Sequence, residues 1–245
     1  MDKEIRKYYD RIKLTQQFAN KPQDTDEPPI THTKVFHKEY PRLPSIPLAE
    51  VEQDLSEFRQ LLNSRGSYRN FSDEPISFEN ISSILDSCRI IDNAREPESR
   101  TYPSGGARFP VELYLLTNNV NGLDKGAYHY SMKDRKLELL VKRDWSKIND
   151  NIVSPYINNP GASIFFTSVI SRSEVKYGLR AYPYSLIEAG HMGQNIQLSA
   201  NQMNISSCPV SGFVDDVIIE LLDLGPNELP IYSIVLGNKN NGKKD

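Results

Sequence analysis

The chain has 245 residues, of which 38% are hydrophobic and 25% charged, and its formal net charge at pH 7 is -3. This length predicts one domain with a sizeable core, and the scattered basic residues argue against a surface for nucleic acid or another polyanion. No apolar run is long enough to span a bilayer, and residues 1–7 lack the apolar core of a signal peptide. We therefore expect a cytoplasmic protein that binds neither membranes nor nucleic acid.

A metal site is not expected, because the two cysteines and four histidines are scattered along the chain. Cys88 and Cys208 have no cysteine or histidine partner at metal-ligand spacing, and no two histidines have the spacing of a zinc site. We interpret Cys88 as a small core residue. The glycine-rich motifs of Rossmann folds and P-loops do not occur in the sequence, so a cofactor must be held in another way.

Residues 1–48 are predicted to form a proline-rich N-terminal arm, since they hold six of the 16 prolines. Residues 24–29 are typical of an extended linker. Two interpretations stay open, a disordered tail or an arm that packs along a partner subunit. The second would use the apolar side chains of Val35, Phe36, Tyr40, Leu43 and Ile46.

Two helices are predicted after the arm. The first has one apolar face at helical spacing, formed by Val51, Leu55, Phe58 and Leu62. The second runs over residues 78–89, with Ser77 as a suitable N-cap. Ile76 and Ile81 occupy the two positions of a hydrophobic staple around that cap.

The central stretch of the chain is the turn at residues 102–110, which has a proline near each end and the consecutive glycines Gly105 and Gly106. Glycine can take positive φ angles and lets another group approach the backbone closely. A turn of this kind usually only connects two elements, so a connecting role stays open beside a ligand-binding one.

The remaining elements are predicted as strands at residues 111–117 and 162–170, a hairpin of 127–130 and 136–141, a short helix around Trp145 and Ile148, helices at 184–203 and 214–224, and a closing strand at 231–236. Pro183 opens the longest helix, and its apolar set Leu186, Ile187, Ile196 and Met203 predicts a central position in the fold. Mixed hairpin and crossover connections favour an α+β fold over a doubly wound sheet.

Arg65 and Arg69 flank Ser67 at a spacing that suits an oxygen-rich ligand. Two guanidinium groups and a hydroxyl can bind a phosphate monoester or the pyrimidine edge of a flavin, because guanidinium binds such oxygens in a bidentate manner. The alternative is a pair of solvated surface arginines.

Five motifs follow one another in a characteristic order: RGSYRNF at 65–71, YPSGGARFPVELY at 102–114, GAYHY at 126–130, EAGHMGQN at 188–195 and SGFVDD at 211–216. Over roughly residues 50–237 the chain resembles the SagB-type, McbC-like dehydrogenases of the FMN-dependent nitroreductase superfamily. The resemblance implies an α+β homodimer with a central, mostly antiparallel sheet flanked by helices, and FMN bound between the subunits. Residues 49–245 would form this FMN-binding domain.

Cofactor-binding residues are implied by the same resemblance. Ligands of the FMN phosphate and ring would be Arg65, Ser67 and Arg69. The loop against the isoalloxazine ring would be Pro103, Ser104, Gly105 and Gly106. Further contacts from the second subunit would come from Gln194 and from a turn of Pro209, Val210, Ser211 and Gly212. Lys239 would be a basic phosphate ligand after the last strand, although residues 237–241 also read as an ordinary polar tail.

Lys176 and Tyr177 precede Arg180 and Tyr182 as in azoline-oxidising relatives, where the adjacent pair is associated with catalysis. Aromatising an azoline ring removes a proton from the carbon α to the peptide carbonyl and a hydride from the neighbouring carbon, so the protein must supply a base. The alternative is the end of a surface strand with an ion pair between Glu174 and Arg180.

The resemblance therefore predicts an FMN-dependent azoline oxidase in the biosynthesis of a modified peptide. Its substrate would be a peptide, and a cyclodehydratase complex stays open as a partner. Two departures from the family, Pro183 for a basic residue and Glu188 for an aspartate, bear on the substrate. Other readings stay open: an NAD(P)H-dependent reductase of dehydroamino acids or small electrophiles, a desaturase, or a non-catalytic scaffold subunit.

Overall fold

A computed structural model of the chain describes residues 1–13, 34–50, 55–144 and 156–240. The predicted linker at 24–29, the first residue of the first predicted apolar face, Val51, and the helix around Trp145 and Ile148 lie outside these ranges. Within them, no helix combines the length and the apolar character needed to cross a membrane.

Six α-helices occur in the described ranges. They are α1 (Lys3–Ile12), α2 (Ser56–Ser64), α3 (Phe78–Asp86), α4 (Ser171–Tyr177), α5 (Ala181–Gln202) and α6 (Asp215–Leu221). Short 3-10 turns cover Gly105–Ala107 and Gly178–Arg180. The helix α5, with 22 residues, is the longest element and is about 33 Å long at 1.5 Å per residue.

Ten strands are present in the same ranges. They are β1 (Ile76–Ser77), β2 (Ile90–Asp92), β3 (Ser99–Arg100), β4 (Val111–Thr117), β5 (Val120–Asn121), β6 (Gly126–Ser131), β7 (Lys136–Lys142), β8 (Ala162–Val169), β9 (Ile205–Val210) and β10 (Glu228–Asn238). Six form the central sheet in the order β7-β6-β4-β8-β10-β9, and every neighbouring pair in it is antiparallel. The predicted α+β class with an antiparallel sheet is therefore confirmed.

Helices pack on both faces of the central sheet. Each strand contributes side chains to both faces, because successive side chains on a strand point to opposite sides. In β4, Leu113 and Leu115 pack with α3 and α5, whereas Tyr114 and Leu116 pack with α6 on the other face. The strand β10 alternates in the same way, with Val235 on the α6 side. A three-layer arrangement results, in which α5 lies across one face of the sheet.

Several predicted elements match closely. The strand β4 has the predicted bounds. The strand β6 extends the prediction by one residue at each end, and β7 extends it by one residue at its C-terminal end. Ser77 caps α3, accepting a hydrogen bond from the N–H of Asn80 at 3.1 Å, and the staple residues Ile76 and Ile81 are both fully buried. Cys88 is also fully buried, as predicted.

Other predictions were wrong. The strand β9 and the helices α1 and α4 were not predicted, and α5 begins at Ala181, before Pro183. Leu186 and Ile187 do not lie in the core, since 41% and 57% of their surfaces are exposed. The apolar face predicted for α2 is also open, with Phe58 and Leu62 exposed.

The N-terminal arm starts with an ordered helix. Ile5 and Tyr9 of α1 are buried against Ala181, Tyr182 and Leu229, so the first 12 residues pack on the main domain. The phenol of Tyr9 donates a hydrogen bond of 2.8 Å to the buried carboxylate of Asp215. The division of the chain after residue 48 stays a prediction.

Candidate functional site

The segment at residues 65–69 lies along the edge of the central sheet. The N–H of Tyr68 donates to the C=O of Ser207 in β9 at 2.9 Å, and Phe71 forms an antiparallel bridge with Lys239. The Nζ atom of Lys239 is 5.4 Å from the centroid of the Tyr68 ring. Lys239 is thus brought beside the segment that carries the predicted ligands Arg65, Ser67 and Arg69.

Pro209 and Val210 belong to a strand and not to a turn, which corrects the prediction for this stretch. They are the last residues of β9, where Val210 is paired with Ser233 of β10. The turn is limited to Ser211, which is exposed, and Gly212. A proline in a strand argues against a central position, but β9 is the edge strand of the sheet, where proline is tolerated.

The loop at residues 103–109 holds an unusual backbone. Gly106, Ala107 and Phe109 have φ angles of 62°, 52° and 44°. Positive φ costs little at glycine but is strained at the other two residues, and such strain persists only where surrounding contacts enforce it. This concentration of positive φ angles is a reason to place a functional site here.

Contacts around Phe109 enforce that backbone. Its N–H donates to Oγ of Ser104 at 2.9 Å, and its C=O accepts from Nη1 of Arg172 at 3.1 Å. The ring packs edge-on to Tyr102 with 5.8 Å between centroids, and the guanidinium of Arg100 lies 4.2 Å from the ring centroid. Hydrogen bonds to the backbone and contacts of the Phe109 ring therefore both fix the loop.

Lys176 and Tyr177 converge on this loop. They are the last two residues of α4, so the alternative of a surface strand end is wrong. A Cβ atom placed on Gly106 would lie 2.2 Å from the Tyr177 hydroxyl oxygen and 2.9 Å from Nζ of Lys176. Any side chain at position 106 would displace both groups, and the predicted catalytic pair touches the predicted flavin loop.

The Tyr177 ring is held by a second aromatic ring. Tyr184 of α5 packs edge-on to it, with 5.1 Å between centroids and an interplanar angle of 80°. The Tyr184 ring also lies beside Gly105, where an added Cβ would approach it to 3.4 Å. Tyr184 was not singled out from the sequence, although it lies next to the Pro183 that opens the predicted helix.

Glu188 of α5 anchors the loop at residues 103–109 through hydrogen bonds. Its carboxylate is buried, accepts a hydrogen bond from the hydroxyl of Ser104, and accepts a longer one of 3.5 Å from the N–H of Val111. Burial raises the pKa of Glu188 to about 7, although the Ser104 hydrogen bond, the Val111 N–H and the charges of Arg100 and Arg172 lower it. The loop is thus anchored on a carboxyl group that titrates near neutral pH.

Replacing Glu188 by Gln is expected to make folding stability less sensitive to pH. The raised pKa means that the folded protein holds this proton more tightly, so the carboxyl group contributes stability fully below about pH 4.5 and loses that contribution as pH rises through about 7. The free energy of unfolding of Glu188→Gln, relative to the parent, should increase by on the order of 2 to 3 kcal/mol between pH 5 and 8. Urea unfolding at the two pH values measures this difference.

The control for this experiment is Glu188→Asp, which keeps a titrating carboxyl group at this position of α5. Its pH dependence should follow that of the parent. An unfolding free energy of Glu188→Gln that changes with pH as the parent's does would show that the carboxyl group has an ordinary pKa.

The predicted site residues form two clusters within one chain. Gly105 and Gly106 lie with Lys176, Tyr177 and Tyr184 at the N-terminal end of α5. The segment at 65–69 follows α2, whose last turn accepts hydrogen bonds from Asn201 at the C-terminal end of α5. Residues 184 and 201 are about 25 Å apart along the helix. Gln194 lies between the clusters on the exposed side of α5.

The residues that fix the loop were missed at the sequence level. Phe109 and Arg172 act through backbone contacts, and Glu188 was noted only as a departure from the family. Within the described ranges, no group of three histidine, cysteine, aspartate or glutamate residues is placed to hold a metal ion.

Known proteins resemble this chain over much of its length. A protein of Methanocaldococcus jannaschii named as a nitroreductase is 24% identical over 196 residues, which are 79% of this chain and 96% of that protein. The microcin B17-processing protein McbC of Escherichia coli is 27% identical over 152 residues, which are 59% of this chain and 56% of McbC. The match thus spans little more than half of McbC.

The fold also has a close counterpart among solved structures. A chain of the E. coli microcin synthetase McbBCD complex with truncated pro-MccB17 bound superposes with a TM-score of 0.80 at 21% identity. The superposition covers 98% of this chain and 95% of that one. Residues 62–238, well over half of the chain, match the nitroreductase family. The chain therefore belongs to the nitroreductase family, and its resemblance to the McbC-like members is confirmed.

Proposed function

We propose that this chain is an FMN-dependent oxidase that converts the azoline rings of a modified peptide into azoles. The observation that carries the proposal is the convergence of the Lys176 amine and the Tyr177 hydroxyl on the backbone of Gly106. The family resemblance assigns that backbone to the flavin ring. Two groups able to transfer a proton would then stand beside a redox centre, as a paired loss of proton and hydride requires.

The phosphate side of the proposed site has the right donors for FMN. Arg65, Arg69 and Lys239 supply three cations and Ser67 a hydroxyl, in segments that are paired with β9 and with each other. Guanidinium forks and an ammonium group suit the oxygens of a phosphate monoester. When bound, FMN would supply the acceptor for the hydride.

A homodimer would unite the two clusters, which lie at opposite ends of α5. The helix presents an exposed stripe between them, containing Leu186, Ile187, Gly190 and Gln194. In a two-fold dimer with α5 packed antiparallel on its copy, the N-terminal end of one helix meets the C-terminal end of the other. Each site would then combine the segment at 65–69 of one chain with the Lys176 cluster of its partner.

Further apolar surface supports association. Phe58 and Leu62 of α2, which contacts the C-terminal part of α5, are exposed in the single chain. Five apolar side chains of the arm are also more than half exposed, namely Val35, Phe36, Tyr40, Leu43 and Ile46. Large exposed apolar surfaces are typical of protein interfaces. We propose that the arm packs on the second copy.

Lys176 and Tyr177 would take up the proton that the azoline ring loses. The edge contact with Tyr184, whose own ring lies beside Gly105, holds the Tyr177 ring, so its hydroxyl has a defined direction. Lys176 is exposed at the end of α4, and its amine also lies beside Gly106. The pair would accept the proton from the carbon α to the peptide carbonyl. The ring loses two hydrogens in total, one as this proton and one as a hydride, and gains one double bond.

A peptide substrate and partner subunits are part of the proposal. McbC is named for processing of microcin B17, and the McbBCD complex was solved with truncated pro-MccB17 bound. By analogy, we propose that this chain acts on a peptide within a complex of modifying enzymes. A second candidate is an NAD(P)H-dependent reductase, which the nitroreductase name of the M. jannaschii relative favours.

The proposal is tested on the purified protein. It should be yellow, release FMN and not FAD on denaturation, and remove two hydrogens from an azoline-bearing peptide, as measured by mass spectrometry. Azoline peptides left untouched, together with NAD(P)H consumption on a nitro compound or an electron-poor alkene, would favour the reductase. Colourless protein that FMN does not reconstitute would instead indicate a scaffold subunit.

A further inference from the structure

A cavity of about 440 Å³, open to solvent, lies between residues 107–109 of the loop and Arg172 of α4. Its apolar wall is formed by Ile90, Phe109 and Met132. Arg108 and Arg172 border it from the loop and from α4. Binding sites for small groups commonly have volumes in this range, with a few polar groups on an apolar wall.

The cavity adjoins the proposed reaction centre through two elements. Arg172 lies four residues before Lys176 on α4, and side chains at this spacing lie on the same helix face about 5 to 6 Å apart. Arg108 follows Gly106 by two residues, and its Nε donates to the C=O of Arg172 at 3.1 Å. A peptide whose reacting ring lies at Gly106 would extend its neighbouring residues over this cavity.

The charges around the cavity are unbalanced. Four permanent cations line it, namely Arg100, Arg108, Lys133 and Arg172, against the two carboxylates of Glu98 and Glu112. Glu98 is paired with Arg100, and Glu112 is paired with Arg172. His129 lies 3.4 Å from Glu112, and hydrogen bonding to that carboxylate raises the pKa of His129. The cavity thus has a positive surplus in a chain whose net charge is -3.

Arg108 and Lys133 account for this surplus. Among the described residues, neither forms an ion pair. Both are exposed, and the Nη atoms of Arg108 point to no protein acceptor within the described ranges, since its hydrogen bond to Arg172 uses Nε. A guanidinium with both Nη groups available suits a carboxylate.

We infer that this cavity is a subsite for a carboxylate-bearing residue next to the azoline in the peptide substrate, bound by Arg108 and Lys133. The inference rests on the proposed function for the location of the reacting ring. It adds the substrate class, a peptide with aspartate or glutamate flanking the ring. The aliphatic part of that residue would lie on Phe109 and Met132, and its carboxylate would face the two cations.

The test measures binding of two dansyl-labelled, glycine-rich octapeptides to the flavin-loaded protein by fluorescence anisotropy. One peptide carries two aspartates beside a central cysteine, and the other carries asparagines at those positions. The aspartate peptide should bind roughly fivefold more tightly, with a preference that weakens at high salt. In the double variant Arg108→Gln, Lys133→Gln the two peptides should bind equally.

The matched control removes the same charge elsewhere. Lys3 and Arg11 are exposed on α1, and Lys3→Gln, Arg11→Gln should keep the aspartate preference. Equal affinity of the parent for both peptides, or a preference that persists in the Arg108→Gln, Lys133→Gln variant, would overturn the inference. Because binding is measured without turnover, failure of the oxidase proposal appears separately, as unchanged mass of an asparagine-flanked azoline peptide.

Discussion

Replacing Lys176 by Ala and Tyr177 by Phe together is expected to abolish azole formation while FMN stays bound and the protein stays folded. General-base groups contribute about a hundred- to ten-thousand-fold to rate, so the loss should be unmistakable. The Lys176 side chain is exposed, and Phe at position 177 keeps the ring that packs on Tyr184. Mass spectrometry of an azoline peptide, which loses two hydrogens with the parent and none with the variant, measures the effect.

The neighbouring residue Val175 provides the control, since 93% of its surface is exposed on the same helix. Val175→Ala should oxidise the peptide at the parental rate and bind flavin equally. An NAD(P)H-dependent reductase needs no base at this pair, so the double variant of such an enzyme would keep much of its reductase activity. Azole formation by the double variant at the parental rate would remove Lys176 and Tyr177 from the mechanism.

The parts of the fold that could be predicted from sequence are those whose signals are local. The strand β4 is an apolar run between a proline and a polar turn, and α3 has a cap at Ser77 and a staple of Ile76 and Ile81. Each of these signals lies within a few residues of the element it specifies. No distant part of the chain was needed to interpret them.

The elements that were missed depend on distant partners. The strand β9 contains Pro209, and a proline is tolerated there because β9 lies at the edge of the sheet. The edge position is set by the order of the strands, which the local sequence does not reveal. The helix α1 has two buried apolar residues, Ile5 and Tyr9, and its docking surface is provided by residues more than 150 positions away. The exposure of Leu186 and Ile187 likewise follows from which side of α5 faces the sheet.

In the candidate site, too, some features could be predicted from residue identity and others depend on contacts in the folded chain. The order of the motifs pointed to the segment at 65–69, the loop at 103–106 and the Lys176 pair, because the family resemblance is carried by residue identity. The positive φ angles of Ala107 and Phe109 could not be predicted, since neither residue prefers that conformation. Glu188 and Arg172 enforce those angles through contacts that exist only in the folded chain.

Two inactive variants are expected to restore activity when they share one dimer. The first carries Arg65→Glu and Arg69→Glu, which reverses two charges on the phosphate side and should prevent FMN binding. The second carries Lys176→Ala and Tyr177→Phe. If each site combines the two ends of α5 from different chains, a mixed dimer has one site with all four changes and one with none. Random mixing then gives about half mixed dimers and about a quarter of the parental activity.

Tandem affinity tags on the two variants isolate the mixed dimer, and its flavin content verifies that one of the two sites is empty. One FMN per dimer and about half of the parental activity per dimer are expected. The control is an unexchanged mixture of the two purified variants, which should stay inactive. If each site is instead built within a single chain, the mixed dimer should be inactive, because every site would then carry one pair of changes. An inactive mixed dimer would therefore show that the two clusters, about 25 Å apart along α5, do not meet across a subunit interface.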